Sequence, residues 1–344
     1  MDLPAQVDFP MTTPTTQPVE GCRKNLPQRY PIPASRAVQR GCTAAAVLYP
    51  VSVIGFLNIN KPPGPTSHDV VASVRRMVGR AVNVGHCGTL DPFAQGVLVV
   101  CLGGACRLTE FIHEQPKGYQ ADIRLGAVSE TDDPQGPLTA TVDPLVPPEA
   151  HLHEVIGTFL GTISQLPPSH SAVHVGGRRA YDLARQGHEF QLQPRDVVIH
   201  DIRLLSYAWP TATIEVTCGS GTYIRSLARD IGRQLGCGGY CSRLVRTRVG
   251  VFGIEQSKPM AGLRLPDDIT DAATALPALP HIRVDGPQVP DVMLGKLLAL
   301  QSPCPPGYAA ILDPSGMMIG LGEITPDGLS LRPRRVFPVI GPVK

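Results

Sequence analysis

An α+β fold is what this sequence predicts, from three observations. Thirty-six prolines and 35 glycines among 344 residues call for many turns, and only 5% of residues are aromatic, a balance that suits a β-rich or mixed chain better than a helix bundle. Stretches with apolar residues at every second position, such as Tyr119, Ala121, Ile123 and Leu125, read as strands. Others, such as Val70, Val71, Val74, Met77 and Val78, repeat at helical spacing. At roughly 100–200 residues per domain, the length fits two domains.

Residues 1–50 carry Pro4, Pro10, Pro14, Pro18, Pro27, Pro31 and Pro33 with no strand or helix periodicity, and a disordered extension is expected. Arg23, Lys24, Arg29, Arg36 and Arg40 also fit a transit peptide, against which Asp2, Asp8 and Glu20 weigh; a mis-assigned start would look the same. Order is expected from Val51: a strand to Asn60, a stiff turn over Lys61–Ser67, then a helix capped by Thr66, Ser67 or Asp69. A tight loop around Asp91 follows. Gly85 and Gly88 allow backbone conformations closed to other residues, and Pro92 keeps a helix from running back through the aspartate. The valine-rich run Gly96–Leu102 reads as a buried strand behind that loop.

A short helix near Ala105–His113, the strand Tyr119–Leu125, a polar loop at Glu130–Gly136 and a helix over His151–Leu160 come next. Ser171–Val175 and the Gly176-Gly177 turn lead into a short basic helix, Arg178–Gln186, stopped by Gly187. Val197–Tyr207 and Thr211–Cys218 read as paired strands. Glycines bound a helix within Gly219–Gly236, on which Arg225 and Arg229 share a face and can both approach one charged site. Residues 51–262 are thus read as one domain, and 263–280, rich in Pro, Ala and Asp, as a linker with a short helix. Strands at Tyr308–Leu312, Met317–Ile324 and Leu329–Ile340 make residues 281–344 a small β-barrel module, its last strand basic through Arg332, Arg334 and Arg335.

The net charge of +2 conceals an imbalance: six arginines and one acid, Asp230, lie between Thr222 and Arg248, which suits a polyanion or a solvated helix face. Nine cysteines are odd in number and irregular in spacing, so neither a disulfide framework nor a zinc site is expected; Cys237-x3-Cys241 has no second ligand pair. Reduced thiols point to the cytoplasm. The longest apolar stretch, around Ala44 to Leu57, is broken by Tyr49-Pro50, and no membrane span is expected.

Taken alone, Asp91 reads as a turn aspartate satisfying backbone N–H groups. Its company says otherwise. Gly85-His86-Cys87-Gly88-Thr89-Leu90-Asp91-Pro92-Phe93-Ala94-Gln95-Gly96-Val97-Leu98 occurs with the Lys61–Ser67 turn, with Lys117-x-Tyr119, and with Gly221-Thr222-Tyr223-Ile224-Arg225. These segments, in this order, resemble the TruB family of pseudouridine synthases, the bacterial tRNA pseudouridine-55 synthases. So do Pro167-Pro168-x-x-Ser171-Ala172, Tyr181-x-x-Ala184-Arg185-x-Gly187 and Leu244–Gly250. The resemblance is dense over residues 53–255 and weaker beyond.

It implies a pseudouridine synthase catalytic domain built on a mixed, mainly antiparallel sheet with flanking helices, and a PUA-like C-terminal module. The reaction implied detaches uracil from its ribose and rejoins it through C5, with no metal or organic cofactor, in a monomer acting on the T-arm of tRNA. Asp91 would be the ionised nucleophile or base and Arg225 its partner, favouring the charged form. Tyr119 would stack on the uracil and remove or relay the C5 proton; Leu244 would pack under the base; Tyr223 would hold the base or Asp91. His86 would fill the place of the flipped nucleotide, and the arginines at 75–76, 178–179, 225–248 and 332–335 would meet phosphates. Cys87, Arg107, His174 and Val245 depart from the family's usual Thr, Lys, Lys and Arg. Two other functions fit the same residues: a guide-RNA-directed subunit of the related Cbf5 group, disfavoured by Arg178–Gly187 and the small C-terminal module, and a non-catalytic RNA-binding or RNA-folding protein, disfavoured by the joint presence of Asp91, Tyr119 and Arg225.

Overall fold

A two-sided sheet organises the chain, and the apolar run before Gly103 shows why. The computed structural model describes residues 53–171, 174–175, 178–179, 186 and 190–337. Strand β1 (Ile54–Lys61) leads to helix α1 (Ser67–Val78), then β2 (Val84–His86) and β3 (Gln95–Gly103). Along β3, Val97, Val99 and Cys101 enter one apolar core, while Leu98, Val100 and Leu102 enter another. Both faces of this strand are covered, so its sequence is apolar at consecutive rather than alternate positions.

The chain continues through α2 (Thr109–Glu114), β4 (Lys117–Leu125), the hairpin β5 (Ala127–Ser129) and β6 (Leu138–Ala140), α3 (Glu149–Gly157) and β7 (Gly161–Gln165). A two-residue pair, β8 (His174–Val175) and β9 (Arg178–Arg179), precedes the long strands β10 (Arg195–Ala208) and β11 (Thr211–Cys218), helix α4 (Ile224–Gln234), β12 (Gly239–Val249), β13 (Phe252–Gly253) and β14 (Ile269–Asp271). The ten-stranded sheet runs β14-β1-β3-β12-β4-β11-β10-β7, with β2 on β3 and β13 on β12. Its pairings are antiparallel except β3 with β12, where Gln95 meets Val245 and Gly96 meets Arg246. That parallel junction brings the strand behind the Asp91 loop against the strand carrying Leu244.

Residues 281–336 add β15 (His281–Arg283), α5 (Val289–Met293), β16 (Leu298–Ala299), β17 (Gly307–Leu312), β18 (Met318–Ile324) and β19 (Ser330–Val336). Their strands form a separate sheet in the order β15-β17-β18-β19-β16. Ala310, Leu312, Met318, Leu321 and Phe337 share a core with Phe56, Val97 and Val99, so this sheet packs on one face of the large one. Phe111 and Tyr308 meet edge to face at 5.5 Å across that contact.

Several expectations change. Thr66 is the α1 cap, its hydroxyl accepting from Asp69 N at 3.1 Å while Asp69 accepts from Thr66 N at 2.8 Å, which frees Ser67 for another task. The short helix after β3 begins as a 3-10 turn over Gly104–Leu108. The expected linker helix is absent from 269–271, where β14 instead extends the sheet beyond β1. Gly55 permits that approach, because a Cβ there would stand 2.4 Å from Ile269 Cγ2. Arg178–Arg179 begin no helix but pair as a strand with His174–Val175. The rest of the expected 180–186 helix, the 1–50 extension and the end of the last strand lie outside the described residues, residue 186 excepted. Among the described residues no helix is long and apolar enough to cross a membrane.

Candidate active site

The loop between β2 and β3 is held at almost every residue. Arg246, 1% exposed, donates from Nη2 to Gly88 O (3.1 Å), from Nη1 to Thr89 O (3.2 Å) and from Nε to Val97 O (2.7 Å). Ser67 Oγ accepts from Leu90 N (2.9 Å) and donates to Leu90 O (3.0 Å). Pro92 O accepts from Gly64 N (2.7 Å) and from Lys61 Nζ (3.3 Å). Lys61 is fully buried, and its other donors go to Pro62 O (3.0 Å) and Pro65 O (2.9 Å), so three carbonyls satisfy one ammonium. Burial pulls its pKa down to about 8, against the pull of Asp91. Gly96 is required behind the loop: its φ is +106°, and a Cβ there would stand 2.2 Å from Arg246 O. With its neighbours fixed, Asp91 meets Arg225 from a loop pinned on both sides.

Arg225 enters from the first turn of α4. The residue before the helix, Tyr223, is fixed by the side chain of Gln165, which accepts from Tyr223 N (2.8 Å) and donates to Tyr223 O (3.1 Å). The buried guanidinium approaches Asp91 with two nitrogens: Nη2 donates to Oδ1 (3.3 Å), and Nε forms an ion contact with Oδ2 (2.8 Å) that is not a well-directed hydrogen bond. Its remaining donors go to Thr131 O (3.0 Å), Asp133 Oδ2 (3.2 Å) and His170 O (2.9 Å). About a third of the Asp91 side chain, 31%, stays open to the cleft, against 4% of Arg225. Withdrawal from water raises the Asp91 pKa above the ordinary aspartate range; Arg225 opposes the shift and Asp133 adds to it. The expected partnership is therefore present with the expected sign, but the net shift is upward. Two carboxylates share one guanidinium.

The other expected site residues fall around this pair. Tyr119, 7% exposed, lies on β4 between Val216 and Arg246, in the same core as Leu90, Ile224 and Leu244. Burial raises its phenol pKa, with Arg246 opposing. Leu244, also buried, sits opposite Ala121. Tyr223 is half-buried, its pKa raised by burial and lowered by Ser171, whose own hydroxyl has no well-formed hydrogen bond. His86 packs edge-on against His68 of α1, ring centres 5.3 Å apart, with Nδ1 buried and unpartnered; burial first, then His68, pulls it down to about 4, so the ring is neutral near pH 7.

Sequence reasoning misses Asp133 and Arg246 as parts of this site, and places the Lys61–Ser67 turn there without a role for Lys61 or Ser67. From sequence Glu130–Gly136 is only a polar connection, although two adjacent aspartates in it supply counter-charges for Arg225 and Arg229. Arg246 counts by charge alone as a surface cation; its place two residues after Leu244, on the same face of a strand, is the signal. Of the six arginines in 222–248, Arg225, Arg229 and Arg246 are engaged internally, while Arg233, Arg243 and Arg248 are exposed. Arg229 does not share the Asp91 site: it binds Asp132 (2.8 Å) and Asp230 (3.1 Å). In the last strand Arg334 and Arg335 form ion pairs with Glu323 and Glu110. The basic face is smaller than the count of arginines implied.

A family model described as the N-terminal domain of TruB family pseudouridylate synthase matches residues 75–224, and one described as the tRNA pseudouridylate synthase B C-terminal domain matches residues 225–272. The chain is 36% identical over 296 residues to the tRNA pseudouridine synthase B of Syntrophomonas wolfei, covering 83% of this chain and 99% of that one. It is 43% identical over 247 residues to the protein of the same name from Symbiobacterium thermophilum, covering 71% of this chain and 82% of that one. A chain in the solved structure of a Cbf5-Nop10-Gar1 complex is similar, with a TM-score of 0.63 and 27% identity over 83% of this chain and 85% of that one. The mixed α+β sheet with few helices is the pseudouridine synthase fold, and the chain belongs to the TruB family of pseudouridylate synthases.

Proposed function

We propose that this protein converts a uridine in the T-loop of tRNA to pseudouridine, acting alone as a monomer in the cytoplasm. The observation that carries this is the Asp91 carboxylate, fixed in a clamped loop and gripped by a buried arginine, in a chain of this family. RNA binding by itself gives no reason to withdraw a carboxylate from water at such cost.

The chemistry requires the glycosidic bond to open, the uracil to turn, and a C1′–C5 bond to replace it. Asp91 opens the first step in its ionised form, which Arg225 favours. Tyr119, kept neutral by burial, offers an aromatic face for the uracil and passes the C5 proton onward through water rather than standing ready as a phenolate. Leu244 supports the base from below, and Tyr223 holds it or Asp91 by its hydroxyl. A stacked nucleotide must flip to reach this cleft, at a cost of a few kcal/mol, and the neutral ring of His86 fills the gap it leaves. The C-terminal five-stranded sheet acts as a PUA-like RNA-binding module, and the exposed arginines meet phosphates, so affinity falls with salt.

The test is to incubate the purified chain with an unmodified tRNA transcript and map pseudouridine along it. Formation in the T-loop without any other RNA is expected. Conversion only after a guide RNA is added would replace this function with the guide-directed one, and tRNA binding without conversion would leave a binding protein.

A further inference from the structure

Arg229 lies one helical turn beyond Arg225 but faces a different carboxylate, and the two arginines divide one turn between them. In the turn between β5 and β6, Arg225 takes Thr131 O and the Asp133 carboxylate. The chain reverses between those two residues at Asp132, whose φ is +60°. That region disfavours side chains, and Asp is among the residues that tolerate it best. The reversal sends the Asp132 carboxylate the other way, to Arg229 Nη1 at 2.8 Å, while Asp132 O accepts from Cys241 N at 3.0 Å. Arg229 also donates from Nη2 to Leu166 O (2.9 Å), which Ser226 Oγ also reaches (2.9 Å). Leu166 belongs to the segment that presents His170 O to Arg225. Three of the contacts that aim Arg225 thus come from two loops, and Arg229 ties those loops together.

We propose that Asp132 and Arg229 form the positioning element of the reaction, fixing the two loops that aim Arg225 at Asp91. Neither touches the reacting atoms. The proposal rests on pseudouridine formation being the activity.

A role of this kind has a signature that general stabilisation lacks. Asp91 is faced by Arg225, Arg246 and Lys61 and by Asp133, Tyr119, Tyr223 and Cys241. The turn at Asp132 holds two of these, Arg225 and Asp133, and the effect of Arg225 on Asp91 is the larger. Loosening the turn therefore raises the Asp91 pKa further, and the acid limb of the rate profile moves to higher pH.

The experiment measures single-turnover pseudouridine formation against pH, with tRNA affinity, for wild type, Asp132→Asn, Asp132→Gly and Asp132→Ala. Asp132→Ala loses both the left-handed tolerance and the tie, and its rate falls about a hundredfold, the scale of a misplacement of about 1 Å. Its acid limb moves up and its tRNA affinity is kept. Asp132→Gly keeps the conformation alone and falls between Asp132→Ala and wild type. Asp132→Asn keeps both the conformation and an acceptor for Arg229, and comes nearest to wild type. A wild-type rate and acid limb in Asp132→Ala would overturn the proposal, as would a rate loss matched by lost tRNA affinity with the acid limb unmoved. Should Asp132→Ala not fold, Arg229→Lys carries the test: it keeps the charge but cannot bridge Asp132 and Leu166 together, so an unchanged rate and acid limb there refutes the idea. Failure of wild type to form pseudouridine would refute the activity itself, a separate outcome.

Discussion

Replacing Ser67 with alanine separates a clamp on the Asp91 loop from an ordinary helix start. Ser67 sits at the N-terminus of α1, 2% exposed, where sequence reasoning offered it as a cap. Were it a cap, Ser67→Ala would cost ~1 kcal/mol and leave catalysis alone. In the structure Thr66 caps the helix, and Ser67 Oγ instead serves Leu90, accepting from its N–H at 2.9 Å and donating to its carbonyl at 3.0 Å. Leu90 is 3% exposed, so water cannot replace both bonds without opening the loop. At ~1–3 kcal/mol for each of the two buried Leu90 groups left unsatisfied, the expected cost is about 2–6 kcal/mol. Part of that cost is relieved if the loop shifts, and a shift moves Asp91. Urea unfolding together with single-turnover kinetics reads both effects: lower stability by about 2 kcal/mol or more, a slower chemical step, and unchanged tRNA affinity. A loss near 1 kcal/mol with a wild-type rate would return Ser67 to the role of a cap and refute the clamp.

Other consequences follow from the same geometry. Gly96→Ala forces a Cβ against Arg246 O at 2.2 Å in a backbone with φ of +106°, and should cost more than ~3 kcal/mol or prevent soluble expression; a melting curve like wild type would contradict the close packing. Because the folded pKa of Asp91 is raised, its contribution to stability is present at low pH and lost as pH rises through that pKa. Asp91→Asn should therefore be at least as stable as wild type at pH 7, with the advantage shrinking in acid; a lower melting temperature at pH 7 would mean that Arg225 outweighs burial. His86 should titrate near pH 4 by NMR in the free protein, and an ordinary histidine titration would show that its ring is open to water.

Much of the scaffold was legible because its cause is local. The run Gly96–Leu102 is apolar at consecutive positions since both faces of β3 are covered, and the glycines and Pro92 mark the loop before it. The Asp91–Arg225 partnership, between residues 134 apart in sequence, comes from the family resemblance and not from periodicity. What stayed hidden depends on distant backbone. Lys61 and Arg246 bind carbonyls, which leave no trace in residue type, and a buried cation reads from sequence like an exposed one. Asp133 was visible only as a polar loop residue. β14 is invisible within the linker because its pairing needs the edge of β1 and the missing Cβ of Gly55, neither of which is adjacent to it in sequence.

We infer that one clamped carboxylate, Asp91, carries the reaction while the fold does not depend on it. Single-turnover conversion of an unmodified tRNA transcript by wild type and Asp91→Asn, alongside tRNA affinity and melting temperature, tests it most directly. Wild type should form pseudouridine in the T-loop without a guide, and Asp91→Asn should bind the tRNA, melt no lower, and form none. Conversion by Asp91→Asn at a rate near wild type would contradict the account.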